Sequence, residues 1–210
     1  MTISDRINRI ARSVPAWPFY PLLLVPGLWT FWLALNGRLG ADPMRELEHD
    51  LGIWALRFMI AVLCVTLARR FFNLNRIKFR RLLGLTAFFY ALAHLTVWLL
   101  LDRQLMWGEI IADLYKRPYI IFGMLAFLLI LPLAFTSNNW SVGKLGAPGW
   151  NRLHRLAYPA AVLMILHYLW LVKSWTLEPL TYTAIMAAVL LAKLLPRKQE
   201  RDRQRQTRTA

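Results

Sequence analysis

The chain has 210 residues, of which 58% are hydrophobic, and it carries ten tryptophans and a formal net charge of +15. This composition excludes a disordered chain and an ordinary soluble domain, and it is typical of an integral membrane protein. The basic residues follow the sides of a membrane (below), so we exclude nucleic acid as a partner and expect the surplus charge to face anionic lipid.

Six apolar segments are each about long enough to cross a hydrocarbon core of roughly 30 Å as a helix. In chain order these predicted spans are Pro18–Asn36, Leu51–Ala68, Leu82–Leu101, Tyr119–Phe135, Leu156–Val172 and Leu177–Leu195. The sequence therefore predicts an all-α integral membrane protein with a six-transmembrane-helix bundle. We expect a short N-terminal segment (1–17), one membrane domain (18–195) and a basic tail (196–210).

The basic residues predict the orientation of this bundle. Nineteen of them lie on the side that holds both termini, against six on the other side. Positively charged loops stay in the cytoplasm, so we expect both termini to be cytoplasmic.

The connecting segments read mostly as loops. RELEHD (45–50) adds acidic charge on the outer side, and GEIIADLYKR within loop 102–118 predicts a short helix on the membrane surface. The Gly- and Asn-rich segment 136–150 predicts ordinary turns. Tryptophans near the span ends are expected to anchor the protein at the interface, namely Trp17, Trp140, Trp150 and Trp175.

Two histidines within the apolar spans are the main candidates for a site. His94 lies in the third span and His167 in the fifth, and these spans run in the same direction. Both histidines therefore fall at a similar depth in the outer half, where an imidazole is costly to bury unless it binds something. Together they predict a bis-histidine haem site with no open iron position, which suits electron transfer. The alternative is a pair of histidines that only form hydrogen bonds between helices.

Small residues precede His94 along the third span. Gly84, Ala87 and Ala91 recur at spacings of three and four. Such a stripe leaves room for a flat macrocycle beside the backbone, or it allows close helix packing.

A third histidine, His154, lies 13 residues before His167, so about 20 Å nearer the cytoplasm. The matching positions on the third span hold Arg80 and Arg81, which do not ligate iron. We therefore expect one haem rather than two. For His154 three roles are expected as alternatives: a weak second iron ligand, a contact to a quinone or flavin, or an interfacial histidine. The two arginines either mark the topology or hold a flavin phosphate or a quinone carbonyl.

Two further polar residues lie near the outer side. Arg57 is inside the second span and either extends its charge outward or pairs with a haem propionate; we favour the propionate. His49 in RELEHD is expected to be a solvated loop histidine.

The segments with the most specific residues resemble one known family. They are GRLGADP (37–43), RRLLGL (80–85), RPYI with Gly123 (117–123), LAFTS (133–137), LHRLAY (153–158) and HYLW (167–170). In this order and spacing the chain resembles the MsrQ (YedZ) family, the haem-binding membrane subunits of the bacterial periplasmic methionine-sulfoxide reductase system. That family belongs to a wider ferric-reductase-like transmembrane group.

The resemblance implies a b-type cytochrome of the bacterial inner membrane that binds haem b and associates with FMN. Electrons would come from the quinone pool or a cytosolic flavin reductase. They would pass to a periplasmic molybdopterin-dependent partner that repairs oxidised methionines. The family's haem histidines carry over to His94 and His167, with His154 as the additional family histidine. No Gly-rich dinucleotide motif follows a strand-like segment, so the donor must be external.

We therefore expect an electron-transfer subunit without catalytic residues of its own. His154, Arg80 and Arg81 are the candidates for the inner cofactor or quinone region, and segments 45–50 and 102–118 for partner docking. Two alternatives remain: a stand-alone transmembrane ferric or oxygen reductase, and a membrane protein without cofactor.

Overall fold

A computed structural model describes residues 14–72, 77–172 and 176–195 of the chain. Within these ranges the secondary structure is helical and contains no strand, which confirms the predicted all-α architecture. Most of the N-terminal segment, the basic tail and Trp175 lie outside the described residues.

Eight α-helices make up the described chain. They are α1 (Phe19–Leu35), α2 (Pro43–Phe72), α3 (Ile77–Thr96), α4 (Trp107–Lys116), α5 (Pro118–Phe135), α6 (Asn139–Leu153), α7 (Ala157–Leu171) and α8 (Leu177–Leu194). A π-helical segment, Val97–Asp102, extends α3, and a 3₁₀ segment, His154–Leu156, joins α6 to α7.

Each predicted span corresponds to one helix. Four stretches are long and apolar enough to cross a membrane: Pro43–Ala68, Lys78–Asp102, Pro118–Phe135 and Leu177–Leu194. The helices over the first and fifth predicted spans are shorter, with 17 and 15 residues. The chain is thus a multi-pass membrane protein, and the count of six crossings stays a prediction.

The prediction of an outer loop over residues 45–50 is wrong, because these residues form part of the first two turns of α2. The carboxylate of Asp42 accepts a hydrogen bond from the backbone N–H of Arg45 at 3.3 Å, and Pro43 takes the first helical position. An Asp cap followed by proline is a common helix start, since proline lacks the N–H that would otherwise be unpaired.

The predicted turns in 136–150 are also wrong, because most of this segment is helical. Asn138 caps α6 by accepting a hydrogen bond from the N–H of Ser141 at 2.7 Å. Gly146, with φ of 66°, kinks the helix in a conformation that favours glycine.

The core is built from two antiparallel helix pairs. The most extensive contacts join α2 to α3 and α5 to α7. A buried apolar cluster from α2, α5, α7 and α8 lies at the centre and includes Leu56, Ile130, Ala160 and Met186. Each pair carries one of the two histidines predicted to bind haem.

Tyr90 of α3 holds α1 against the bundle. Its hydroxyl accepts a hydrogen bond from the N–H of Gly27 and donates one to the carbonyl of Leu23, both at 2.9 Å. Gly27 has no side chain to obstruct the ring, since a Cβ there would lie 2.8 Å from Tyr90 Cε1. The absence of that atom therefore allows the close approach.

The short helix predicted in loop 102–118 is confirmed as α4, and its position on the membrane surface stays a prediction. Buried Asp113 pairs with Arg103 at 2.7 Å and with Arg117 at 3.4 Å, and these ion pairs tie α4 to the segments on both sides of it. Two guanidinium groups beside a buried carboxylate offset part of the cost of its burial. The exposed residues of α4 include Trp107 and Tyr115.

We expect Tyr90→Phe to destabilise the docking of α1. The free energy of unfolding should fall by about 1 kcal/mol, because the freed Leu23 carbonyl and Gly27 N–H can pair with each other within α1. Unfolding of the purified protein by SDS in mixed micelles measures it. Tyr115→Phe, at a side chain that is 85% exposed, is the control, and equal stability of both variants would contradict the role of the Tyr90 hydroxyl.

Candidate functional site

His94 lies near the C-terminal end of α3, three residues before the π-helical segment. Its Nδ1–H donates a hydrogen bond to the backbone carbonyl of Glu48 on α2 at 2.8 Å. A carbonyl can only accept, so the proton of the neutral ring is on Nδ1 and the lone pair is on Nε2. The contact fixes both the tautomer and the orientation of this imidazole.

His167 repeats the arrangement on the other helix pair. Its Nδ1–H donates to the backbone carbonyl of Tyr119 on α5 at 2.7 Å. The lone pair of the neutral ring is again on Nε2, and within the described ranges no hydrogen bond to either Nε2 is present. Membrane burial favours the neutral form of each ring.

The structure brings the two imidazoles together. The ring centres of His94 and His167 are 6.1 Å apart, and the ring planes are inclined at 83°. Metal–imidazole bonds of about 2 Å place the ring centres of two axial ligands about 6 Å apart. The separation of the two rings therefore fits one iron between them.

The surroundings of the pair also fit a haem. Among the described residues no three potential His, Cys, Asp or Glu ligands cluster, so the protein offers two nitrogen donors. Haem iron needs only axial ligands from the protein. Gly52 and Gly123 lie directly against the two rings, where a side chain would press on the imidazoles.

The stripe of small residues on α3 serves helix packing. Gly84 faces Val62 of α2. Ala87 is buried in a cluster with Ala55 and Phe58, which also belong to α2. The stripe therefore lies on the face of α3 that packs against α2.

His154 lies at the other end of the bundle and is 7% exposed. Its ring stacks on Trp150 with centres 3.6 Å apart, and Nδ1–H donates to the Trp150 carbonyl at 3.1 Å. Trp150 in turn donates from its indole N–H to the carbonyl of Thr136 at 2.8 Å. Trp150, predicted to be an interface anchor, also supports a histidine.

The second nitrogen of His154 is buried and has no hydrogen-bond partner in the described part of the chain. Burial lowers the pKa of the His154 imidazole; the Trp150 carbonyl opposes this effect, Arg80 adds to it, and the Leu133 carbonyl also opposes it. The ring is therefore neutral with a lone pair on Nε2. Such a nitrogen is suited to accept a hydrogen bond from a ligand or an ordered water molecule.

Arg80 and Arg81 have different surroundings. The guanidinium of Arg80 lies over the Trp150 ring, 5.5 Å from its centre, and so belongs to the cluster around His154. Arg81 donates to the side-chain oxygen of Asn139 at 3.1 Å. We name Arg80, Trp150 and His154 the inner cluster.

Arg57 and His49 pack against the other helices. Arg57 donates to the hydroxyl of Tyr182 on α8 at 2.6 Å and lies over Trp54 at 4.6 Å. His49 was expected in a solvated loop, but it is a partly buried residue of α2, with its ring 6.1 Å from that of Tyr168. The partner that Arg57 has in the structure is Tyr182; its pairing with a propionate stays a prediction.

Sequence reasoning missed the backbone part of the site. The carbonyls of Glu48 and Tyr119 have no signature of their own, because any residue carries a carbonyl. Gly52 could have been noticed as an isolated glycine within an apolar span, where it lowers helix propensity and so needs a reason.

Comparison with known proteins gives consistent matches. The family described as "Ferric reductase like transmembrane component" matches residues 51–165. The chain is 50% identical over 181 residues to the "Protein-methionine-sulfoxide reductase heme-binding subunit MsrQ" of Agrobacterium fabrum, covering 85% of this chain and 84% of that protein. The protein of the same name from Brucella ovis is 48% identical over 178 residues, covering 85% and 80%.

We expect His154→Phe to leave the stability of the apoprotein within about 1 kcal/mol, or to raise it. Phenylalanine keeps the stack on Trp150 and removes a buried unpaired nitrogen, which offsets the lost Nδ1 hydrogen bond. SDS unfolding in mixed micelles measures the change. Trp150→Ala, which removes the stack and the bond to Thr136, should cost more than about 2 kcal/mol. A large loss for His154→Phe would show that His154 serves the fold.

Proposed function

The chain belongs to the MsrQ family of heme-binding subunits of protein-methionine-sulfoxide reductase, within the ferric-reductase-like transmembrane proteins, and on that premise we propose that it carries electrons across the bacterial inner membrane to a periplasmic partner. The partner reduces methionine sulfoxide in oxidised proteins. The membrane subunit supplies electrons and has no catalytic residue for that substrate.

One observation carries the proposal: two imidazoles with ring centres 6.1 Å apart, each with Nδ1 bonded to a backbone carbonyl. We assign His94 and His167 as the two axial ligands of one haem b, which would supply a one-electron carrier. Two histidine ligands leave no open iron position, so oxygen chemistry is disfavoured. The backbone bonds hold each ring in its ligating tautomer.

The proposed topology has six crossings and both termini in the cytoplasm, with residues 18–195 as one membrane domain. The charge distribution supports it, with nineteen basic residues on the terminal side against six on the other. The His94–His167 pair then lies near the periplasm and the inner cluster near the cytoplasm. This order matches electron flow from inside to outside.

We propose that the inner cluster receives electrons from the donor. The Nε2 lone pair of His154 is suited to accept a hydrogen bond from a quinol hydroxyl or a flavin N–H. Arg80 adds a positive charge beside it that suits a flavin phosphate or a quinone carbonyl. FMN, with a quinol from the membrane or a cytosolic flavin reductase as donor, fits this environment. A second haem would lack an opposite histidine, because Arg80 and Arg81 occupy the matching positions.

We place the docking surface for a molybdopterin-dependent partner at the outer end. α4 follows directly after the π-helical segment that extends α3 beyond His94. It presents Trp107 and Tyr115, which are 66% and 85% exposed, and its base is fixed by the ion pairs of Asp113. Exposed aromatic residues on a fixed helix suit a protein interface. The first turns of α2 complete the same end of the bundle.

We expect His94→Ala and His167→Ala each to remove the same low-spin haem signal. Both ligands bind one iron, so either loss opens an axial position and weakens binding. Absorption spectra of the purified variants, oxidised and reduced, measure this directly.

His49→Ala is the matched control for these variants, because His49 is partly buried near the same end but its ring packs on Tyr168. It should keep the wild-type spectrum. Full low-spin haem in either His94→Ala or His167→Ala would contradict the pairing.

We also expect haem content to be nearer one than two per chain. The inner end has a single histidine and two arginines where a second pair of ligands would stand. Pyridine-haemochrome quantification against protein concentration measures the ratio. Two haems per chain would overturn the assignment of the inner cluster to flavin or quinone.

A further inference from the structure

Each of the two paired histidines rests on a glycine of the neighbouring helix. A Cβ added to Gly52 would lie 3.1 Å from Nδ1 and 3.2 Å from Cε1 of His94. A Cβ added to Gly123 would lie 2.9 Å from Nδ1 and 3.0 Å from Cε1 of His167. A Cβ at Gly123 would be closer to the ring than real Cβ contacts are, and a Cβ at Gly52 would require the His94 ring to shift by a few tenths of an ångström.

The glycines stand in a fixed relation to the acceptor carbonyls. Gly52 is four residues after Glu48, and Gly123 is four residues after Tyr119. In an α-helix the Cα–Cβ bond tilts toward the N-terminus, so a side chain at position i+4 covers the carbonyl of residue i. Glycine leaves that carbonyl open from the side. Its second lone pair can then accept the imidazole N–H in addition to the helical hydrogen bond.

The same arrangement occurs twice, once on each side of the pair. The hydrogen-bonded residues are 46 apart in one case and 48 in the other, and they join the two helix pairs with the most extensive contacts. In each case the earlier helix provides the glycine and the carbonyl, and the later helix provides the histidine.

We propose that Gly52 and Gly123 are positioning residues for the two axial ligands: each opens a helix carbonyl so that the imidazole can lie against the backbone, donate from Nδ1 and direct Nε2 toward the iron. The proposal rests on the assignment of His94 and His167 as haem ligands. It adds that the ligand geometry is set by two residues without side chains.

Helix packing alone does not account for this pattern. Gly84 also lies between α2 and α3, but a Cβ there would meet only Val62 Cγ2 at 3.9 Å, an ordinary contact. Gly84 therefore tolerates alanine where Gly52 does not. Between α2 and α3, the close contact to glycine is therefore at Gly52, under the His94 ring, and not at Gly84.

Alanine at either position must move the ring, lengthen the Nδ1 hydrogen bond and tilt the imidazole. A weaker donor bond makes the ligand less basic, and the loss of such a partner lowers metal affinity by roughly 10–100-fold. A less basic ligand also stabilises the ferric state less, so the reduction potential should rise. Gly123→Ala should have the larger effect, because its added atom comes closer to the ring.

The test uses the full-length protein purified in detergent, as wild type, Gly52→Ala, Gly123→Ala and the control Gly84→Ala. Three quantities are measured: haem affinity by titration, the reduction potential, and the low-spin ferric EPR signal. The largest g value in that signal depends on the angle between the two imidazole planes, which is 83° in the structure. Gly52→Ala and Gly123→Ala should lower the affinity, raise the potential and shift the EPR signal, while Gly84→Ala should match the wild type.

Two outcomes would overturn the proposal: wild-type behaviour of Gly52→Ala and Gly123→Ala in all three measurements, or equal changes in all three glycine variants. If Gly123→Ala does not fold, as judged by circular dichroism, Gly52→Ala decides by the same criteria. Silent glycine variants together with loss of haem in His94→Ala and His167→Ala would reject only the positioning role. Haem retained in those histidine variants would reject the ligand assignment itself.

Discussion

The hydrogen bond from an imidazole N–H to a helix carbonyl is the interaction on which this site depends. In the membrane interior there is no water to pair with a buried N–H, so each ring must find its acceptor within the protein. The carbonyls of Glu48 and Tyr119 provide it for His94 and His167. Once Nδ1 is bonded, Nε2 carries the lone pair. The tautomer, the ring orientation and the suitability for iron then all follow from one contact on each side.

The two ends of the bundle are built differently. The outer end has two histidines in equivalent settings, with ring centres 6.1 Å apart. The inner end has one histidine, stacked on Trp150 beside Arg80, with one nitrogen buried and unpaired among the described residues. A complete pair suits a cofactor held permanently, whereas an unpaired acceptor suits a group that arrives with its own donor. This asymmetry is compatible with the proposed electron path, in which the inner cluster receives electrons and the histidine pair carries the haem.

The positions of the main histidines could be predicted from the sequence for a simple physical reason. Two apolar spans that run in the same direction place His94 and His167 at the same depth, and lipid makes an idle imidazole costly. The helix start at Asp42–Pro43 also had a local signal, an Asp cap followed by proline, but the charged run after it was interpreted as a loop. Because of this error, His49 was predicted to be a solvated loop residue, whereas it lies in the helix.

The remaining features depend on contacts between distant residues. Gly52 supports His94, which lies across a helix interface, and no local pattern connects the two positions. Trp150 and His154 are only four residues apart and stack on one another, but Trp150 also lies near a span end, as an interface anchor does. Pro159 cannot donate a backbone hydrogen bond to the carbonyl of Arg155, which favours a break at this point.

The central claim is that two imidazoles share one iron in the outer half of the bundle. Near-infrared magnetic circular dichroism of the ferric protein tests it most directly, because the energy of the charge-transfer band identifies the axial ligands. The account predicts a single low-spin species with the band of bis-imidazole ligation. A high-spin ferric spectrum, or a band that indicates any ligand other than two imidazoles, would contradict it.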